Sequence, residues 1–201
     1  MQEDGTFMAG ANFLPKAITP EIWDYNTWNY YLNITFLPFM EISYRMTLFK
    51  LDGSNHFNNQ DRSYSARFRI LKEKQEIPSF VLGANDIFWS KQGLKSRETN
   101  QFYRNIYLVA GKNIDYNQCT IQTTLGYSLG IAGNEYFSGL FGGVSVSPSF
   151  LPQMKLIAEY DTKGVNAGAG MLLFKHLYLY GMEYELKRFA GGFAYLIYLK
   201  T

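Results

Sequence analysis

Long apolar runs are missing from this chain of 201 residues. No stretch approaches the roughly twenty residues that a membrane-spanning helix needs, so a helical span is excluded. Cysteine is nearly absent: Cys119 has no second thiol to pair with and reads as a small buried or lipid-facing side chain. Charge of one sign is scarce too. Nineteen Lys and Arg against seventeen Asp and Glu leave a net +2 with no basic cluster, which argues against a nucleic-acid partner. Of the two histidines, His56 sits in the polar stretch Ser54-Asn55-His56-Phe57 and His176 follows a tight turn. Neither has a Ser and an acid arranged around it, and neither has metal-ligand spacing. The expectation is therefore a protein that is not an enzyme and holds no cofactor or metal. No apolar core follows Met1-Gln2-Glu3-Asp4, so a leader is expected to have been removed.

What is abundant is aromatic and alternating. Sixteen Tyr and sixteen Phe favour strands and membrane–water interfaces, and eighteen Gly suit bends and tight turns. Over residues 28–36, Trp28, Tyr30, Leu32, Ile34 and Phe36 oppose Asn29, Tyr31, Asn33 and Thr35. Met40, Ile42, Tyr44, Met46 and Leu48 oppose Glu41, Ser43, Arg45 and Thr47. Tyr64, Ala66, Phe68 and Ile70 oppose Ser63, Ser65, Arg67 and Arg69. Period-two alternation marks strands with a different solvent on each face. A run of about ten residues suffices for a tilted strand to cross a bilayer. The pattern predicts an all-β fold: a closed antiparallel transmembrane β-barrel, apolar outward and polar inward.

The chain offers twelve strand candidates: 6–12, 28–36, 39–49, 63–72, 79–88, 102–112, 120–129, 140–146, 154–160, 165–173, 177–186 and 191–199. A single helical turn fits residues 19–24, where Pro20 suits a first turn. In the first half, long polar connections (13–27, 51–62, 89–101) alternate with tight ones (37–38, 73–78, 114–117), and later connections are short. Long loops on one rim and tight turns on the other suit an outer-membrane barrel, with both termini periplasmic. No linker divides the chain, so residues 1–201 read as one domain. The competing architecture is a soluble barrel or sandwich with the apolar faces inward. Those faces are bulkier than a small core can hold.

Alternation weakens later. Tyr178, Tyr180, Met182, Tyr184 and Leu186 oppose Gly181, Glu183 and Glu185, and the strands at 102–112 and 191–199 are apolar on both faces. Two-faced strands of this kind suit packing against an element inside the barrel or against a partner. With polar faces inward, the lumen collects Glu41, Arg45, Arg67, Arg69, Lys155, Glu159, Glu183 and Glu185. These charges either line a pore for an anionic or sugar-like solute, or pair with one another and merely close the barrel. Glu41 is a natural partner for one of the three arginines.

An ordered series of segments resembles the YjbH-like family of outer-membrane proteins tied to exopolysaccharide production. It runs from Phe39-Met40-Glu41 and Tyr44-Arg45-Met46-Thr47 through Asp61-Arg62-Ser63-Tyr64-Ser65-Ala66-Arg67-Phe68-Arg69-Ile70-Leu71-Lys72-Glu73 to Ile77-Pro78 and Val81-Leu82-Gly83-Ala84-Asn85-Asp86. Tyr107-Leu108-Val109-Ala110-Gly111-Lys112, Thr124-Leu125-Gly126-Tyr127, Phe141-Gly142-Gly143, Lys155-Leu156-Ile157-Ala158-Glu159-Tyr160-Asp161 and Val165-Asn166-Ala167-Gly168 continue it. The chain is shorter than long family members, resembles their N-terminal barrel module, and carries Gly111 where a Ser is usual. Asp86 and Lys112 match family positions and are expected near strand ends, as rim residues. The resemblance implies a Gram-negative outer-membrane location, lipid contact, and a part in exopolysaccharide secretion or assembly. The barrel is then either a conduit for polysaccharide or another solute, or a plugged structural subunit of a larger envelope complex.

Overall fold

A computed structural model describes residues 1–19, 25–50, 57–86, 103–131 and 137–199. Residues 20–24, His56 and the connection at 89–101 lie outside these. The described residues form twelve strands: β1 (Thr6–Leu14), β2 (Thr27–Leu37), β3 (Met40–Lys50), β4 (Phe57–Leu71), β5 (Ser79–Asn85), β6 (Asn105–Tyr116), β7 (Cys119–Gly130), β8 (Gly139–Pro148), β9 (Met154–Tyr160), β10 (Val165–Leu173), β11 (Leu177–Tyr184) and β12 (Arg188–Tyr198). Each pairs antiparallel with its sequence neighbours, and β1 pairs β12 from Thr6↔Tyr198 to Phe13↔Gly191, closing the barrel. Closure matters because hydrocarbon offers no partner to a strand edge, and each unpaired backbone group there costs several kcal/mol.

The expected strand count holds, with shifted ends. Residues 57–62, read as loop, open β4, while β6 runs on to Tyr116 and leaves only Asn117 and Gln118 to turn. Asn117 takes the left-handed conformation (φ 52°) that asparagine tolerates. The β7–β8 connection, residues 131–138, is longer than its short neighbours. At one rim, here the loop rim, β1, β3, β5 and β7 end and β2, β4, β6 and β8 begin. The opposite turn rim carries 38–39, 72–78, 117–118, the start of β1 and the end of β12.

Burial decides between the two architectures. The largest fully buried side chains are Glu41, Asn166, Thr6, Thr27, Thr35 and Thr47, and the buried apolar ones are Ala11, Ala190, Ala194 and Leu196. Large apolar side chains stand outside: Ile70 is 63% exposed, Leu125 64% and Leu140 60%. A water-soluble sandwich would bury the second group and expose the first. This is the inside-out distribution of a transmembrane barrel, whose outer face meets lipid and whose inner face is polar.

Candidate functional site: the barrel lumen

Register places Glu41 of β3 directly opposite Arg67 of β4, on the inner face. Glu41 is 1% exposed, and its carboxylate accepts from Arg67 Nη1 at 2.9 Å, Thr35 Oγ1 at 3.2 Å and the Gln2 backbone N–H at 3.0 Å. A buried carboxylate needs this many partners, since an uncompensated charge costs several kcal/mol. Arg67 also donates from Nε to the Tyr107 hydroxyl at 2.9 Å, and its side chain stays 40% exposed to the lumen. Arg45 lies nearer the loop rim. Its Nη2 is 3.7 Å from Asp86 Oδ2, and its guanidinium sits 4.5 Å from the centre of the Tyr103 ring. Tyr103 in turn stacks on Phe137 at 5.4 Å, joining two loop-rim connections above the lumen.

The remaining predicted residues separate. Arg69 donates from Nη1 to the Pro38 carbonyl at 3.0 Å, at the turn rim. Lys155 on β9 donates to Gln122 Oε1 at 3.0 Å. Glu159, on the same face of β9, accepts from Asn166 Nδ2 at 3.3 Å, and Asn166 also donates to Asp161 Oδ2 at 3.0 Å. Lys112 stands at the turn rim, donating from Nζ to the carbonyls of Lys74 (2.6 Å) and Gln75 (2.7 Å), with Glu73 at 3.6 Å. Glu73 lies outside the strands. The Asn113 backbone N–H, with help from the Lys112 charge, holds its carboxyl below the usual glutamate range.

Two expected lumen residues are elsewhere. Glu183 is exposed on the outer face, paired with Ala167 of β10 and Phe189 of β12, and Glu185 lies in the β11–β12 turn with φ 51°. The alternation in β11 is inverted. Tyr178, Tyr180 and Tyr184 point inward while Leu179 is 41% exposed outside. Tyrosine carries an apolar ring and a polar tip, so it suits either face, and its neighbours decide. Here the inner positions of β10 opposite Met182 and Tyr180 are Gly168 and Gly170, and a Cβ on Gly170 would overlap the Tyr178 ring. The same device recurs: Tyr31 lies over Gly10, Tyr107 over Gly83 and Phe141 over Gly126. Each of these inward aromatics has a glycine at the paired or diagonal position of the next strand, as does the outward Phe189 over Gly181.

Aromatic cover also explains the two-faced strand β12. Its inner residues are Ala190, Gly192, Ala194 and Leu196, and the Tyr31 hydroxyl donates across them to the Phe193 carbonyl at 3.4 Å and meets the Tyr180 hydroxyl at 3.3 Å. No partner protein is needed to cover that face.

The lumen retains space. A cavity of about 810 Å³ is bounded by Arg67, Tyr107, Gln122, Phe141, Lys155 and Tyr178. It meets a second of about 410 Å³ at Arg67 and a third of about 330 Å³ at Glu159. Ring faces, hydroxyls, an amide and cations converge there, a lining suited to an amphipathic, hydroxyl-rich solute. His176 directs Nδ1 to the Leu196 carbonyl at 2.8 Å and stacks on Tyr195, which is a turn tie rather than a catalytic pairing. Among the described residues no group of three or more His, Cys, Asp and Glu could hold a metal ion.

A family model described as "YjbH: Exopolysaccharide biosynthesis protein YbjH" matches residues 17–189. No curated protein matches the chain. Solved structures similar to it include the crystal structure of the Salmonella typhi outer membrane phospholipase dimer with bound calcium. That likeness has 11% identity, covers 96% of this chain and 89% of the other, and has a TM-score of 0.40. Another is outer membrane phospholipase A from Escherichia coli, with 12% identity, 96% and 95% coverage, and a TM-score of 0.41.

Proposed function

Because the chain belongs to the YjbH family of exopolysaccharide biosynthesis proteins, we propose that it spans the outer membrane and admits saccharide into its lumen as a conduit. The carrying observation is the cavity of about 810 Å³, where Tyr107, Phe141 and Tyr178 offer ring faces and Gln122, Thr124 and Ser145 offer hydrogen-bonding groups. Sugar rings present C–H faces to aromatics and hydroxyls to amides, so this lining matches their chemistry. The tight-turn rim with both termini faces the periplasm and the long loops face outward. Membrane lipid contacts the apolar belt.

A second reading has its own support. The Arg45 guanidinium over Tyr103 and the Tyr103–Phe137 stack link β3 to the start of β8 near the loop rim, the kind of tie that a plugged subunit of an envelope complex would carry. Single-channel recording of the refolded barrel in a planar bilayer separates the two. A conduit gives stable ion-selective steps that added oligosaccharide interrupts, and Arg67→Ala changes their selectivity. Insertion without conductance favours the plugged subunit.

A further inference from the structure

Resting on the saccharide reading above, we propose that the lumen is built for an acidic saccharide, one carrying carboxylates, and that Lys155 recognises its charge.

The cations of the inner face differ in what answers them. Arg67 is matched by Glu41, and Arg45 by Asp86. Lys155 meets the neutral Gln122 amide oxygen and no carboxylate among the described residues. Arg69, two residues from Arg67 on the same face, meets only the Pro38 carbonyl among them. The nearest acid on the strand of Lys155 is Glu159, four residues on, which at about 3.3 Å per residue is about 13 Å away and beyond ion-pair reach. Glu159 is engaged instead by Asn166.

Position turns this imbalance into a site. β4 and β9 lie on facing walls of the twelve-strand ring, and Arg67 and Lys155 line the same cavity of about 810 Å³. The unanswered cations cluster toward the turn rim, while Glu159 and Asp161 stand toward the loop rim. The lumen is therefore polarised along its axis, with a positive zone at the turn-rim half. Basic residues are how pores select anions, and a charge-assisted hydrogen bond is about twice as strong as a neutral one. Tyr107, bonded to Arg67, and Tyr178, which lies over Gly170 beside Lys155, flank the cations, so a bound sugar ring places its carboxylate within their reach. A neutral saccharide would leave Lys155 without a counter-charge.

The test uses the refolded full chain in a nonionic detergent. A hexamer of galacturonic acid and a glucose hexamer of matched length are titrated by calorimetry into the parent, Lys155→Gln and Lys155→Arg. The expected result is binding of the acidic hexamer about tenfold tighter than the neutral one, one charge-assisted contact's worth. Added salt and Lys155→Gln abolish that preference, and Lys155→Arg keeps it. Equal binding of the two hexamers, or a preference untouched by Lys155→Gln, overturns the charge assignment and leaves the saccharide reading standing. Binding of neither hexamer overturns both. Heat-modified gel mobility checks that each variant is folded, and Lys155→Arg supplies a charge-retaining variant if the Gln form does not refold.

Discussion

The wall formed by β2–β4 and the wall formed by β10–β12 solve the same problem with different side chains. In the first, lipid and lumen are separated mainly by polarity: Trp28, Tyr30 and Leu32 outside, Asn29, Thr35, Glu41 and Arg67 inside, tied by ions and hydroxyls, with Tyr31 the one inward aromatic named over a glycine. In the second, the inner face is largely glycine and alanine under a layer of tyrosines, with Asn166 its buried polar residue, and the one strongly charged residue of β11, Glu183, stands outside near the loop rim. Alternation reports facing where side chains are clearly polar or clearly apolar. Where they are tyrosine, the space left by the next strand decides.

The strongest way to break this comparison is to place a cation on each face of β11. Leu179→Arg puts charge into lipid and is expected to cost roughly 2–4 kcal/mol. Tyr180→Arg faces the lumen and is expected to cost about 1 kcal/mol, chiefly the lost bond to Tyr31. Urea unfolding in lipid vesicles measures both, and a reversed order would return the tyrosines to the outer face. On the polar wall, Arg67→Ala leaves Glu41 buried without its cation. The expected loss is about 2–3 kcal/mol, somewhat below that of a fully enclosed pair because Arg67 is open to lumen water. Adding Glu41→Gln should recover much of it, and a double-mutant cycle over these variants reads the coupling. Additive losses would mean that the pair is incidental. The smallest effect is steric: Gly170→Leu must displace the Tyr178 ring, for an expected cost of about 1–2 kcal/mol. Tyr178→Ala in the same chain should relieve it. An unchanged unfolding midpoint in Gly170→Leu would show that the ring does not rest there.

Part of the lumen's charge pairing was legible in the sequence. Glu41 and Arg67 follow from two adjacent strands of clean alternation, where a short connection fixes which residues oppose. Asn166 was missed, although it is fully buried and bridges Glu159, Asp161 and the Glu185 backbone N–H. It shares its face with Gly168 and Gly170, opposite Val165, Ala167 and Ala169, and no charge on that face marks it as a site residue. Tyr107 was hidden in a strand apolar on both faces, and only its position over Gly83 marks it as inward. Glu183 was misplaced because charge on a strand was equated with lumen, whereas a strand end near a rim reaches water from either face.

The sequence by itself determined that this chain crosses a membrane with strands, about a dozen of them, and which residues of β2–β4 face lipid. Period-two patterning over bilayer-length segments leaves few alternatives when no apolar helix exists. Only the tertiary structure decided the facing of β11, the closure of β1 on β12, and which cations of the lumen go unanswered. Those depend on which side chains meet across strands far apart in sequence: a tyrosine finding a glycine, an arginine finding a glutamate, and a lysine finding only an amide.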